Sequence, residues 1–214
     1  MNLELHHFFI LVKPGAEVAE LLSSIGMCEG TRNKHEGQGT SNRRFNFSNG
    51  TLELLWVHDE DEALNGPGRD MYLSERINDK TASPFGVIFN RKDNTSLEMP
   101  FDGWKYEPVY FQSPWAFHIG ANSKNIHEPL CVYMPFVEPG ASSGIDENKA
   151  IKSISMVRVY TPTESMSNVL SVANTADRLS IEHGEEHLIE VEFDNNKSGL
   201  TKDFRPDIPL IVHW

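Results

Sequence analysis

The chain has 214 residues, 39% of them hydrophobic and 10% aromatic, with a formal net charge of -12. That length suits one globular unit or two small ones sharing a core, the negative balance disfavours phosphate backbones and so nucleic acid, and no apolar stretch is long enough to span a membrane. Cys28 and Cys131 form no metal or redox spacing, and no basic-then-apolar leader opens the chain, so a cytoplasmic location with reduced, inert thiols is expected.

Leu3 to Val12 reads as a buried strand, rich in Leu, Phe, Ile and Val and closed by Pro14-Gly15. Regular alternation puts its adjacent histidines, His6 and His7, on opposite faces. Val18, Leu21, Leu22 and Ile25 then recur at helical spacing before Gly26. A weak strand and a Gly-containing loop follow; Gly37-Gln38-Gly39-Thr40 lacks the lysine and following helix of a phosphate loop. Two strands flank Ser48-Asn49-Gly50, a strong hairpin signal. The acidic run from His58 to Glu62 reads as a solvated helix start or loop.

Residues 83 to 91 read as another strand, and the prolines and aromatics between Pro84 and Pro139 argue against long helices there. Residues 140 to 148 read as an exposed turn. From residue 151 the element order recurs: a strand ending at Pro162, a helix capped by Thr161 or Thr163, two strands, and a closing strand near the C-terminus. In "HGEEH" the two histidines, His183 and His187, stand at i and i+4, but the surroundings read as a turn between strands rather than a zinc helix.

The strand-helix-three-strand order used twice, with "HHFFILVKPGA", "GQGTSNRRFNF" and "TLELLWV", resembles the glyoxalase-like domain proteins of the vicinal oxygen chelate superfamily, which also includes dioxygenases and bleomycin-resistance proteins. The resemblance implies an α+β fold in which two βαβββ modules form a cupped mixed sheet. On this reading residues 1–60 are the first module, residues 61–150 a Pro- and aromatic-rich middle segment with extra strands, and residues 151–214 a second, degenerate module, all in one structural domain. It further implies a divalent metal (Zn, Mn, Ni or Fe) inside the cup, with ligands falling on His7 and Glu53. His6 would then face the helix side. The second half departs from the pattern: Ser155 stands where His7 does, the closing strand has no matching carboxylate, and His213 and Asp207 are the nearby candidates, with no register fixed for either. His118 is the candidate third ligand.

Glu53 sits among Leu52, Leu54, Leu55 and Trp56, where a carboxylate is costly unless it is paired or coordinated. It is the candidate catalytic residue, as metal ligand or as base. Of Arg43 and Arg44 only one can face the cup, where it would bind an anionic group; Trp56 and Trp115 are candidate substrate contacts. Two functions are compatible with these residues: a metal-dependent lyase, isomerase or dioxygenase-like enzyme acting on a dicarbonyl, hydroxy-carbonyl or catechol-like substrate, or a non-catalytic protein that sequesters a small molecule. The expected partner is a small molecule, with no membrane and no nucleic acid, and a homodimer is compatible with the resemblance.

Overall fold

A computed structural model describes residues 2–140 and 150–214; of the turn expected at residues 140–148, all but Gly140 lies outside them. The first quarter of the chain follows the sequence closely. Strand β1 (Leu3–Leu11) leads to helix α1 (Ala19–Ser24), then to β2 (Asn33–His35), β3 (Thr40–Phe47) and β4 (Gly50–Val57), with β3 and β4 joined through Ser48-Asn49 as a hairpin. The acidic run starts helix α2 (Glu60–Asn65), where the Asp59 carboxylate accepts from Glu62 N at 3.1 Å. Helix α3 (Leu73–Asn78) precedes β5 (Phe85–Arg91), and the proline-rich stretch yields only the short strands β6 (Gly103–Tyr106), β7 (Phe117–Gly120) and β8 (Leu130–Tyr133).

These eight strands make one sheet in the order β2-β3-β4-β1-β5-β8-β7-β6. Within it β1 pairs parallel with β4 and β5 pairs parallel with β8, while β1 and β5 run antiparallel side by side. The two four-strand units therefore repeat one pairing scheme about the β1/β5 seam. The fold is α+β with a cupped mixed sheet of the vicinal oxygen chelate type, and the cup is completed within one chain. The pairing corrects the expected position of the second unit, which spans residues 85–133 rather than 151–214. No helix stands between β5 and β6, so the element order that would have marked the repeat is missing there.

Residues 151–214 form a separate five-stranded sheet, from β9 (Ile154–Thr161), β10 (Leu179–His183), β11 (Leu188–Phe193), β12 (Thr201–Asp203) and β13 (Leu210–His213), in the order β10-β9-β11-β13-β12. Its opening strand pairs with the next two strands, not with the last as β1 does. The same element order thus supports a different topology. Residues 184–187 bend between two strands and are not helical, but β10 and β11 flank β9 instead of pairing as a hairpin. Helix α4 (Asn168–Ala173) is capped by Ser167, whose hydroxyl accepts from Leu170 N at 3.2 Å, and not by Thr161 or Thr163.

The larger core lies between the convex face of the cup and the five-stranded sheet. Phe8, Ile10, Phe45, Phe47, Val87 and Phe89 meet Val157, Val159, Ile189, Val191 and Phe193, with α1 and α4 packed alongside. A smaller cluster, including Phe9, Leu11, Leu55, Ile88, Tyr106 and Val132, lies inside the cup. Among the described residues no helix is long and apolar enough to cross a membrane.

Candidate functional site

The concave face of the eight-stranded sheet encloses a cavity of about 560 Å³. Its polar wall comes from β1 to β4. On β3 the side chains of Phe45 and Phe47 go to the convex core, so Arg44, of opposite parity, faces the cup. Arg43 goes the other way, where its guanidinium binds the carboxylates of Glu29 and Glu20 and donates to Ala16 O at 3.2 Å. On β4 Glu53 lines the cup directly across from Arg44, while Trp56 packs on the convex core and is no ligand contact.

His6 corrects a second expectation. Leu5 pairs with Phe89 and His7 with the next residue, Ile88, so His6 is the extra residue of a β-bulge. The bulge cancels one step of the alternation, and both imidazoles line the cup. Their Nδ1 atoms are 2.9 Å apart, so one carries the proton and the other accepts it. Burial, then Arg178, lowers the His6 pKa; burial, then the neighbouring His6, Arg44 and His35, holds His7 well below the ordinary imidazole range. Both rings are neutral at pH 7.

Glu53 has one face open to the cavity and protein on its other sides. Loss of hydration pushes its carboxyl up to about 7, against the opposing pull of Arg44 and Asn42. A carboxyl at that value holds or releases a proton near neutrality.

The remaining walls are apolar. The Phe9 ring lies across Gly86 on β5, where an added Cβ would sit 2.1 Å from it. Phe111, Phe117 and Phe136 pack with ring centroids 5.1 to 5.7 Å apart. Trp115 stacks on Phe136 at 5.6 Å but is 53% exposed, which places it at the rim rather than the floor. Residues 107–116, between β6 and β7, form a strap that reaches the opposite end of the sheet. There Tyr110 donates to Gln38 Oε1 at 3.1 Å and its ring lies 5.2 Å from that of His35. Sequence reasoning missed His35, Gln38 and Tyr110; only the pairing of distant strands brings them to one wall.

The donor set does not fit a catalytic metal. His7 and Glu53 share the cavity, but His118 is on the convex side, stacked on Phe101 and bonded through Nε2 to Phe101 O at 2.8 Å. Among the described residues no three His, Cys, Asp or Glu side chains gather closely enough to hold a metal ion, whereas catalytic metal sites use three protein ligands. An arginine also stands on this wall: Arg44 is in register with Glu53, and its Nε donates to Thr31 O at 3.1 Å. A second cleft, of about 820 Å³, opens between the two sheets and includes Asp207, His127 and His187; both imidazoles contact Thr81 O, at 3.0 and 3.2 Å. His213 is on β13, bonded to Thr201 Oγ1.

No protein-family model matches the chain, and no curated protein matches it. Among solved structures, a hypothetical protein from Staphylococcus aureus is similar over its whole length, at 13% identity and a TM-score of 0.58, with 100% of this chain and 99% of that one covered. That likeness is one of fold. A methylmalonyl-CoA epimerase in complex with methylmalonyl-CoA is 14% identical, with 65% of this chain and 99% of that one covered and a TM-score of 0.40. A xylose isomerase-like TIM barrel/4-hydroxyphenylpyruvate dioxygenase fusion protein is 12% identical, with 89% and 36% covered and a TM-score of 0.47. Likenesses this distant assign no chemistry to the cup.

Proposed function

We propose that this is a glyoxalase-like protein of the vicinal oxygen chelate superfamily whose cup binds a small molecule, an anionic oxygen group on an aromatic or other apolar body, and exchanges a proton with it through Glu53. The observation that carries this reading is a carboxyl held at about 7 in an aromatic-walled cavity that Arg44, its register partner on β3, also lines. A base with a pKa near the working pH can both take a proton and return it. Arg44 would pair with the ligand's anionic oxygen and stabilise negative charge that grows as the proton leaves. The phenylalanines would hold the apolar body and keep water from the reacting atoms. Isomerisation and lyase-type chemistry fit this arrangement. A ligand without a labile proton would only be sequestered, a reading that the predominance of aromatic wall supports.

Benzoate, an aromatic carboxylate, is the probe, with benzylamine as its cationic counterpart, and calorimetry is the measurement. Benzoate binds and benzylamine does not. Arg44→Met weakens benzoate at least about tenfold, the worth of one charge-assisted contact. The anion also favours the protonated form of Glu53, so binding takes up a proton and tightens as pH falls from 8 to 6. Equal affinity for both probes, or for wild type and R44M, would overturn the reading.

A further inference from the structure

A second line of polar contacts in the cup begins on the strap. The Tyr110 hydroxyl donates to Gln38 Oε1 at 3.1 Å, Gln38 Nε2 donates to Thr40 Oγ1 at 2.8 Å, and Thr40 Oγ1 lies 2.9 Å from His35 Nδ1. Thr40 is 0% exposed and Gln38 8%, so the middle of this chain is shielded from water. The chain has a direction. Thr40 Oγ1 already accepts from the glutamine amide, and leaving its own buried proton unpaired would be costly. That proton goes to His35 Nδ1, so the single proton of the neutral ring sits on Nε2.

His35 Nε2 has no hydrogen-bond partner among the described residues, and the ring lines the cup beside Arg44. Thr40 and Arg44 share one face of β3, and His35 pairs with Thr40 across β2 and β3. Burial, reinforced by Arg44 and His58, brings His35 down to about 4, so it carries no charge in the physiological range. A neutral N–H in this position discriminates between ligand atoms: an oxygen acceptor is bound, whereas a hydroxyl or amine hydrogen would oppose it.

We propose that His35 is a ligand-binding residue, a fixed neutral N–H donor for a carbonyl or carboxylate oxygen, and that Tyr110 on the strap is the positioning residue that sets this donor through Gln38 and Thr40. The inference rests on the cup reading above and narrows it, to ligands with an oxygen acceptor beside the anionic oxygen held by Arg44. It also gives the strap a role, since the donor is set only while Tyr110 spans the mouth.

The test is two-bond proton–nitrogen spectroscopy of the full chain labelled with 15N-histidine at pH 7, with His35→Gln identifying the His35 signals. The wild type shows the Nε2–H tautomer. Thr40→Val and Tyr110→Phe each shift His35 toward a mixture, and benzoate moves the His35 Nε2 signal. H35Q binds benzoate about fivefold to tenfold more weakly, as for loss of one hydrogen bond. An Nδ1–H tautomer in the wild type overturns the proposal, as does a tautomer unchanged in both variants. A change in T40V with none in Y110F overturns the strap's part in it. Benzoate that binds through Arg44 but leaves His35 unmoved overturns this inference alone; benzoate that does not bind overturns the cup reading as well.

Discussion

Arg43 and Arg44 leave β3 on opposite faces, and what each meets there decides its use. Arg43 finds carboxylates from α1 and from the loop before β2, and so ties the convex side together. Arg44 donates to Thr31 O at 3.1 Å and lines an open cavity together with Glu53. The cost of this arrangement falls on Glu53. Its folded pKa, about 7, is above the 4.5 of an ordinary glutamate. Its contribution to stability is therefore fully present below about pH 4.5 and is lost as pH rises through 7. Ionisation at pH 8 costs roughly 1–3 kcal/mol, less than the full shift implies because the cavity admits water. Glu53→Gln stays neutral and escapes that cost. In urea denaturation E53Q is expected to match the wild type at pH 4.5 and to exceed its stability by that amount at pH 8; an identical difference at both pH values would refute the assignment. Glu53 was legible in the sequence as a carboxylate inside an apolar strand. The choice between Arg43 and Arg44 was not, because parity separates the two side chains without saying which face of β3 lines the cup.

At the scale of elements, irregularities do the positioning. The bulge at His6 brings two imidazoles into one cavity, and no local signal such as a glycine marks it in the sequence. Helix α4 shows a junction of the same kind. Ser167 caps the helix through Leu170 N, its hydroxyl donates to Glu128 Oε2 at 2.7 Å, and its backbone N donates to Glu128 Oε1 at 2.8 Å. Glu128 is 1% exposed and precedes β8, so this contact joins the cup sheet to the helix under it. Ser167→Ala removes the cap and one of the carboxylate's donors, and should cost about 1–3 kcal/mol. Ser167→Thr keeps both groups and should cost no more than about 0.5 kcal/mol. Denaturation midpoints decide: equal losses for the two variants would mean that packing, not the hydroxyl, matters there. Strands β1, β3, β4 and β5, helix α1 and the β3–β4 hairpin were legible because period and turn residues agreed, whereas β2 read only as a weak strand. The second half of the cup was hidden because a loop replaces its helix and its three strands after β5 are only four residues long.

For the whole molecule, the two faces of the eight-stranded sheet have divided tasks. The concave face encloses an open cavity, so the sheet does not bury itself by folding over its own cup. The convex face needs a cover, and residues 151–214 supply it: Phe47 meets Phe193 at 4.5 Å between ring centroids, and Asn49 in the β3–β4 turn bonds both the N and the O of Ile154. The element order there resembled a second half-cup because any β-α-β-β-β run shows the same periods; pairing, which sequence order does not carry, made it a lid for the core instead. About a dozen large apolar side chains lie in this seam, each worth roughly 1.5–3 kcal/mol when buried, or about 18–36 kcal/mol together. A domain's whole net stability is typically about 5–15 kcal/mol. The chain cut after residue 140, which retains every strand of the cup, is therefore expected to lose cooperative unfolding and to bind a hydrophobic dye strongly. A soluble monomer of residues 1–140 with a sharp urea transition would show that the five-stranded sheet is an accessory to the cup rather than the other half of its core.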